Sequence, residues 1–304
     1  MNKVNITPES FRPLQKRKLQ EETIVSRGTW YYVKRGFLEN PIAIVCVVLL
    51  IVITAASLMA PLSPYDPDAM NLMAKYKDAS KEHWLGTDNF GRDYFTRILY
   101  GGRVSLAVGF FSMLIATVIG TVYGTISGYL GGKADALMMR IVDILLSIPS
   151  FLIIVMMNAV MTTDVPTLIL IIGIFSWMSV ARVVRTEAMT LKNRDFVLAS
   201  RGLGASNSWI AVKHIIRNAS SQIIVSASLS IGKAILLESV LSFLGFGVAP
   251  PTSTWGSMLQ TAQKAILYRP QMAIYPGVMI LLVVLSFNII ADVLRTALEP
   301  KLMK

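Results

Sequence analysis

Cysteine is almost missing from this sequence of 304 residues: Cys46 stands alone, so no intrachain disulfide can form. Histidine is nearly as scarce. The two present, His83 and His214, are expected on opposite sides of a membrane and so cannot share one metal site. No HExxH, no GxSxG and no cluster of Cys and His ligands occurs. The nearest approach to a phosphate loop is GYLGGKA at Gly128–Ala134. Ser127 stands where that loop needs its first glycine, and Ala134 replaces the hydroxyl residue after the lysine. The chain therefore lacks the groups to catalyse a reaction unaided, and it reads as no enzyme. A secretory signal is also lacking: the first 40 residues are polar, and the first apolar run has no short h-region or cleavage site.

Charge is sparse as well, at 15% of residues, while hydrophobic residues make up 54% and the mean hydropathy is +0.57. Soluble domains reach such values only with long unbroken apolar runs, so membrane composition overrides the two-domain expectation from length. The net charge of +11 would suggest nucleic acid in a soluble protein. Here the positive-inside bias of membrane proteins explains it, and no nucleic-acid partner is expected.

The apolar runs set the organisation. Residues 1–40 form a basic tail whose end, GTWYYVKRGFLENP, suits either a short helix at the membrane interface or an unstructured tail with scattered rings. Residues 41–60 carry no charge and are long enough to cross about 30 Å of hydrocarbon. A polar segment, 61–103, follows. The remaining stretch, 104–304, reads as a five-helix core. Its spans fall near 104–127, 136–160, 166–184, 222–244 and 273–291, with polar loops at 193–218 and 245–272. Spans must be helical, because lipid offers no partner for free backbone groups. The expected fold is thus an all-α membrane protein with six transmembrane helices. With both termini and the 193–218 loop inside, the inner segments hold 20 of the 29 Lys and Arg residues and the outer ones 8, which favours cytoplasmic termini.

Several residues stand out within the spans. Gly120, Gly124 and Gly128 recur every fourth residue, a small-residue stripe that lets another helix come close. Arg140 and Asp143 lie three apart on one helical face and are expected to pair locally. Pro149 should bend the third span, since it removes a backbone donor and clashes with the preceding turn. The fifth span carries Lys233, Glu238 and Ser242 among several other serines. Lys233 and Glu238 are five apart, about 140° around the helix, and are poorly placed to pair. Each is a candidate for lining a path through the membrane. The alternatives are snorkelling for Lys233 and a structural hydrogen bond to another helix for Glu238.

In the 193–218 loop, Asn193 or Asp195 is expected to cap a short helix running to about Arg201. Gly202 and Gly204 should break it. Ser206 or Asn207 should cap a second short helix, Trp209 to Arg217. Two such helices about a glycine hinge make a knob able to fill a groove on a partner, or to rest on lipid.

Three blocks carry a family resemblance. HWLGTDNFGRDYFTRILYGGRVSLAVG (His83–Gly109) resembles the external signature LGTD…GRD…SR..YG.R.SL.VG of C-type permease subunits of ATP-driven oligopeptide and dipeptide importers. FVLASRGLGASNSWIAVKHIIRN resembles their coupling loop, with Ala199 and Gly204 on pattern. Leu198 replaces the glutamate, Ser200 the second alanine, His214 the isoleucine, Ile216 the leucine and Arg217 the proline. ESVLSFLGFGVAPPTSTWGSML (Glu238–Leu259) resembles the end of the fifth helix and the loop after it, and FNIIADVLRTALEPK also fits.

The resemblance implies a type I ABC importer permease fold in the bacterial inner membrane. It implies a homologous second permease completing a heterodimer, two cytoplasmic ATPases and an extracytoplasmic peptide-binding protein. ATP and Mg would be used by the ATPases, with no cofactor held by this chain. Coupling would run through Phe196, Ala199, Ser200, Arg201, Gly204, Ala205, Ser206, Trp209 and His214. Similar permeases carry dipeptides, longer peptides, glutathione or chelated nickel, and a peptide is the expected cargo. The competing reading is a proton-coupled secondary transporter working through Glu238, which predicts interrupted spans in inverted halves. A third is a membrane anchor or assembly factor.

Overall fold

The computed structural model describes residues 29–160 and 164–298. Among these residues all regular structure is helical apart from one isolated bridge, Thr87 to Asp93. The basic tail up to residue 28 and the last six residues lie outside the described residues. The tail's end forms a helix, α1 (Thr29–Glu39), closed by an Arg35–Glu39 ion pair of 2.6 Å.

Three of the long apolar helices begin where a side chain satisfies free backbone donors of the first turn. Asn40 accepts from the Ala43 amide and Pro41 sits at the first position of α2 (Pro41–Leu58). Asp93 accepts from the Thr96 amide at 2.7 Å and opens α3 (Tyr94–Leu130). Asp164 accepts from the Thr167 amide and opens α6 (Val165–Leu191). The second span is therefore 37 residues long and starts ten residues before its apolar part, inside the 61–103 segment.

Between α3 and α6 the chain breaks at Pro149. Ile148 is extended (φ −93°, ψ 124°), as a residue before proline prefers. The two pieces, α4 (Gly132–Ser147) and α5 (Ser150–Val160), bend by 69° where they meet. Among the described residues five helices are long and apolar enough to cross a membrane, and this bent pair, counted as one span, makes six.

The 193–218 segment departs from two separate short helices. The first exists: α7 (Asp195–Gly202), with Arg194 rather than Asn193 or Asp195 at the cap position and no side-chain cap bond. The second does not stop. Ser206 caps α8 (Asn207–Ile210), which passes through a π-helical turn (Ala211–Ile216) straight into α9 (Arg217–Phe243). Asn207–Phe243 is one rod of 37 residues, about 55 Å long at 1.5 Å per residue. The 245–272 stretch likewise holds a helix, α10 (Trp255–Gln263), closed by a Thr254/Ser257 capping box. The last span, α11 (Gln271–Leu298), contains Pro276.

α3 and α6 pack most extensively, along the glycine stripe. A Cβ on Gly120 would stand 2.6 Å from the Val180 Cβ, and one on Gly128 2.5 Å from the Arg185 carbonyl. The helix backbones meet there because nothing larger than hydrogen intervenes. α9 packs against α3, α6, α10 and α11 and leaves one side, with Lys233, Leu236 and Val240, exposed.

Candidate functional site

One end of the bundle carries the α7–α8 knob. Its inner face is apolar: Val197, Ile210 and Ile215 are fully buried against Tyr129 of α3 and Ala188 and Leu191 of α6. Polar contacts fix it further. The Tyr129 hydroxyl donates to Asn207 Oδ1 at 2.8 Å, and the Arg201 guanidinium stacks over the Tyr129 ring. Gly202 ends α7, and Gly204 turns the chain with φ +83°, a conformation that suits glycine. Ser200 lies 2.9 Å from His214 Nε2, and the His214 ring contacts both Phe196 and Trp209. Phe196, Ser200, Trp209 and His214 thus form one cluster across α7, α8 and the π-turn, while Arg201 turns to Tyr129. Ala199, Gly204, Ala205 and Ser206 belong to the same knob, on the helix α7 and in the connection to α8. Its outer face stays open, with Leu203 89% exposed at the tip.

Beneath the knob is a node that sequence spacing did not reveal. Arg185 of α6 donates from Nε and Nη2 to both oxygens of Asp135 at 2.5 Å each, and Ser127 of α3 donates to Asp135 Oδ1 at 2.6 Å. A paired fork of this kind is both strong and directional. It joins α3, α4 and α6 where they approach the knob. The signal in the sequence was faint: an acid in the first turn after Gly131 and Gly132. Asp143, expected to pair with Arg140, instead pairs with Arg182 of α6 at 2.5 Å. Helix-to-helix packing brings Arg182 nearer than the local neighbour.

The opposite end holds the His83–Gly109 signature block. Asp88 accepts from the Phe90 and Arg92 amides and from Arg92 Nε. Arg97 lies 3.6 Å from the same carboxylate and donates to the Pro67 carbonyl and Asp68. Asp93, besides capping α3, lies 2.9 Å from His83 Nδ1. The charges of this block therefore form a buried clasp that anchors residues 61–93 on the start of α3.

Near this end lies Glu238, fully buried in α9. Ser242 donates to its Oε1 at 2.7 Å, and Ser105 of α3 donates to Oε2 at 3.0 Å; Ser239 adds a longer contact. Ser105 also accepts from the Trp255 amide, and the Trp255 ring donates to the Ile98 carbonyl. Glu238 and Ser242 thus face the inside of this chain and link α9 to α3 and α10. This is the structural hydrogen bond between helices that stood as the alternative to a path-lining role. Lys233 behaves differently. It is exposed on the side of α9 that no other described helix covers, and it makes no ion pair among the described residues.

Among the described residues no group of three His, Cys, Asp or Glu side chains could hold a metal ion. The arrangement joins an apolar-backed knob at one end of α9 to a clasped polar end at the other. Long apolar helices packed in this way make it a membrane transport component. The profile of the binding-protein-dependent transport system inner membrane component family matches residues 120–304, and that of the N-terminal transmembrane domain of oligopeptide transport permease C matches residues 28–79. The chain belongs to the binding-protein-dependent transport system inner membrane component family. It is 37% identical over 303 residues, 99% of both chains, to the oligopeptide transport system permease protein OppC of Bacillus subtilis (strain 168). It is 38% identical to a putative peptide permease of Brucella suis biovar 1, covering 94% of this chain and 95% of the relative. It is also 38% identical to the glutathione transport system permease protein GsiD of Pectobacterium atrosepticum, covering 91% and 92%.

Proposed function

We propose that this chain is the membrane-spanning permease subunit of an ATP-driven peptide importer. The observation that carries the reading is similarity to an oligopeptide permease along 99% of both chains. The rod from Asn207 to Phe243, with its knob packed on α3 and α6, supports it. The chain supplies half of the pathway and pairs with a homologous second permease. The knob of Phe196, Ala199, Ser200, Arg201, Gly204, Ala205, Ser206, Trp209 and His214 faces the cytoplasm and docks one of two ATPases, which use ATP and Mg. An extracytoplasmic binding protein delivers the cargo, and this chain holds no cofactor. Lys233, on the open face of α9, faces the second permease or the path between the two. A lipid-facing cation at that depth would cost roughly 2.5–3.5 kcal/mol.

The test is reconstitution. Liposomes holding both permeases and both ATPases, supplied with binding protein, should take up a labelled peptide only with ATP. Uptake by the isolated chain on a proton gradient without ATP would overturn the reading in favour of a secondary transporter. The likeness to a glutathione permease makes the tripeptide glutathione the first competitor to try.

A further inference from the structure

The outer side of the knob carries a notch of about 330 Å³, lined by Phe196, Trp209, Lys213, His214, Arg217 and Asn218. Its charge is of one sign. Residues 193–218 contain four cations, Arg194, Arg201, Lys213 and Arg217, and a single acid, Asp195. Asp195 sits in the first turn of α7 and does not line the notch. Lys213 and Arg217 are both exposed, and neither makes an ion pair among the described residues. They lie four apart along the rod and so share a face. Leu198 is exposed on α7, where Asp195 is the one acid of the helix.

We propose that this notch receives a carboxylate side chain of the ATPase that docks on the knob, so that the permease supplies the positive partner at the joint. The proposal rests on the coupling role given above and adds the polarity of the contact. Interfaces juxtapose opposite charge, and like charge opposite two unpaired cations would cost several kcal/mol. The aromatic walls, Phe196 and Trp209, exclude water from the contact and strengthen it.

The position of the notch favours a protein over a phospholipid headgroup. About 20 residues of the rod fill the hydrocarbon layer. If these end near Gln222, Arg217 and Lys213 stand about 8 and 14 Å farther out at 1.5 Å per residue. That is at and beyond the headgroup layer, on the surface the knob offers to a soluble partner.

The whole importer, in nanodiscs containing phosphatidylcholine and phosphatidylglycerol, provides the test. At low salt the unaltered complex should hold two ATPases. With Lys213→Glu and Arg217→Glu together it should lose one, its retention at that site falling at least tenfold. The neutral pair Lys213→Gln and Arg217→Gln should be intermediate and much less sensitive to salt. Co-purification of the second permease checks that each variant is inserted and assembled. An independent measurement needs no reversal of charge. Carbodiimide coupling of the unaltered complex should join the Lys213 amine to an ATPase carboxylate through an amide bond, and Lys213→Gln should remove that product. Two ATPases retained by the charge-reversed complex across the same salt range would overturn the proposal. So would unchanged ATPase retention together with loss of a phosphatidylglycerol requirement for transport, which would make a lipid headgroup the occupant. An unaltered complex that holds no ATPase at any salt concentration would instead overturn the coupling role itself.

Discussion

Glu238 shows what a single buried carboxylate does in this chain. Its two oxygens take hydroxyl donors from Ser105 and Ser242, and Ser105 in turn holds the Trp255 amide. Removing the carboxylate strands those hydroxyls in a dry site, and each unsatisfied buried group costs about 1–3 kcal/mol. Glu238→Ala should therefore lower folded yield and transport together, with a clear loss of thermal stability in detergent. Glu238→Gln, which keeps the shape and one acceptor, should retain most of both. Transport lost in Glu238→Gln at unchanged stability would restore a direct role in the path. The Asp135–Arg185 fork makes a second residue-scale prediction. Arg185→Leu leaves Asp135 with only the Ser127 hydroxyl, so the midpoint of thermal unfolding should fall by several degrees while Arg182→Leu, at an exposed pair, changes it little.

At the scale of elements, the contact of α3 with α6 depends on the absence of side chains. Gly128→Leu should force the helices apart and cost about 1–3 kcal/mol or more, seen as loss of stable assembly. Gly204 acts through backbone conformation instead. A Cβ there meets open space, but φ +83° is out of reach for proline. Gly204→Pro should leave the spans inserted while displacing α7, so that ATPase activity no longer drives uptake; normal uptake would remove the coupling role from this turn. The Pro149 break and the glycine stripe were legible in the sequence because both are local chemistry at fixed spacing. The unbroken rod was not. Its first 15 residues are polar enough to read as a loop holding a separate short helix, Trp209 to Arg217, and only packing on α3 and α6 reveals their buried side. The helix at Trp255–Gln263 was missed although Thr254 and Ser257 stand three apart, because the apolar pattern after them is short. The partner of Asp143 could not be read at all, since Arg182 lies 39 residues away.

For the whole molecule, six spans, counting the bent pair, put the knob and the clasped 61–93 segment at opposite ends. From the charge bias we propose that the knob end lies in the cytoplasm. Cysteine placed at Asp78 should react with an impermeant maleimide in intact cells, and cysteine at Ser208 only after permeabilisation. The reverse pattern would invert the topology. Cys46, buried in α2, should contribute little background. Function at this scale was legible through motif blocks, whereas the polarity of the knob emerged only once Lys213 and Arg217 were seen around one notch. The rod from Asn207 to Phe243 also has a consequence in time. Its backbone hydrogen bonds run without a joint from the knob to the turns around Glu238, so neither end can relax alone. Fluorophores near Ser208 and Phe243 should then follow a sudden rise in nucleotide with one shared rate constant, without a lag between them. A delay at the far end would locate slack in the π-turn, Ala211–Ile216, where the helix is wound most loosely.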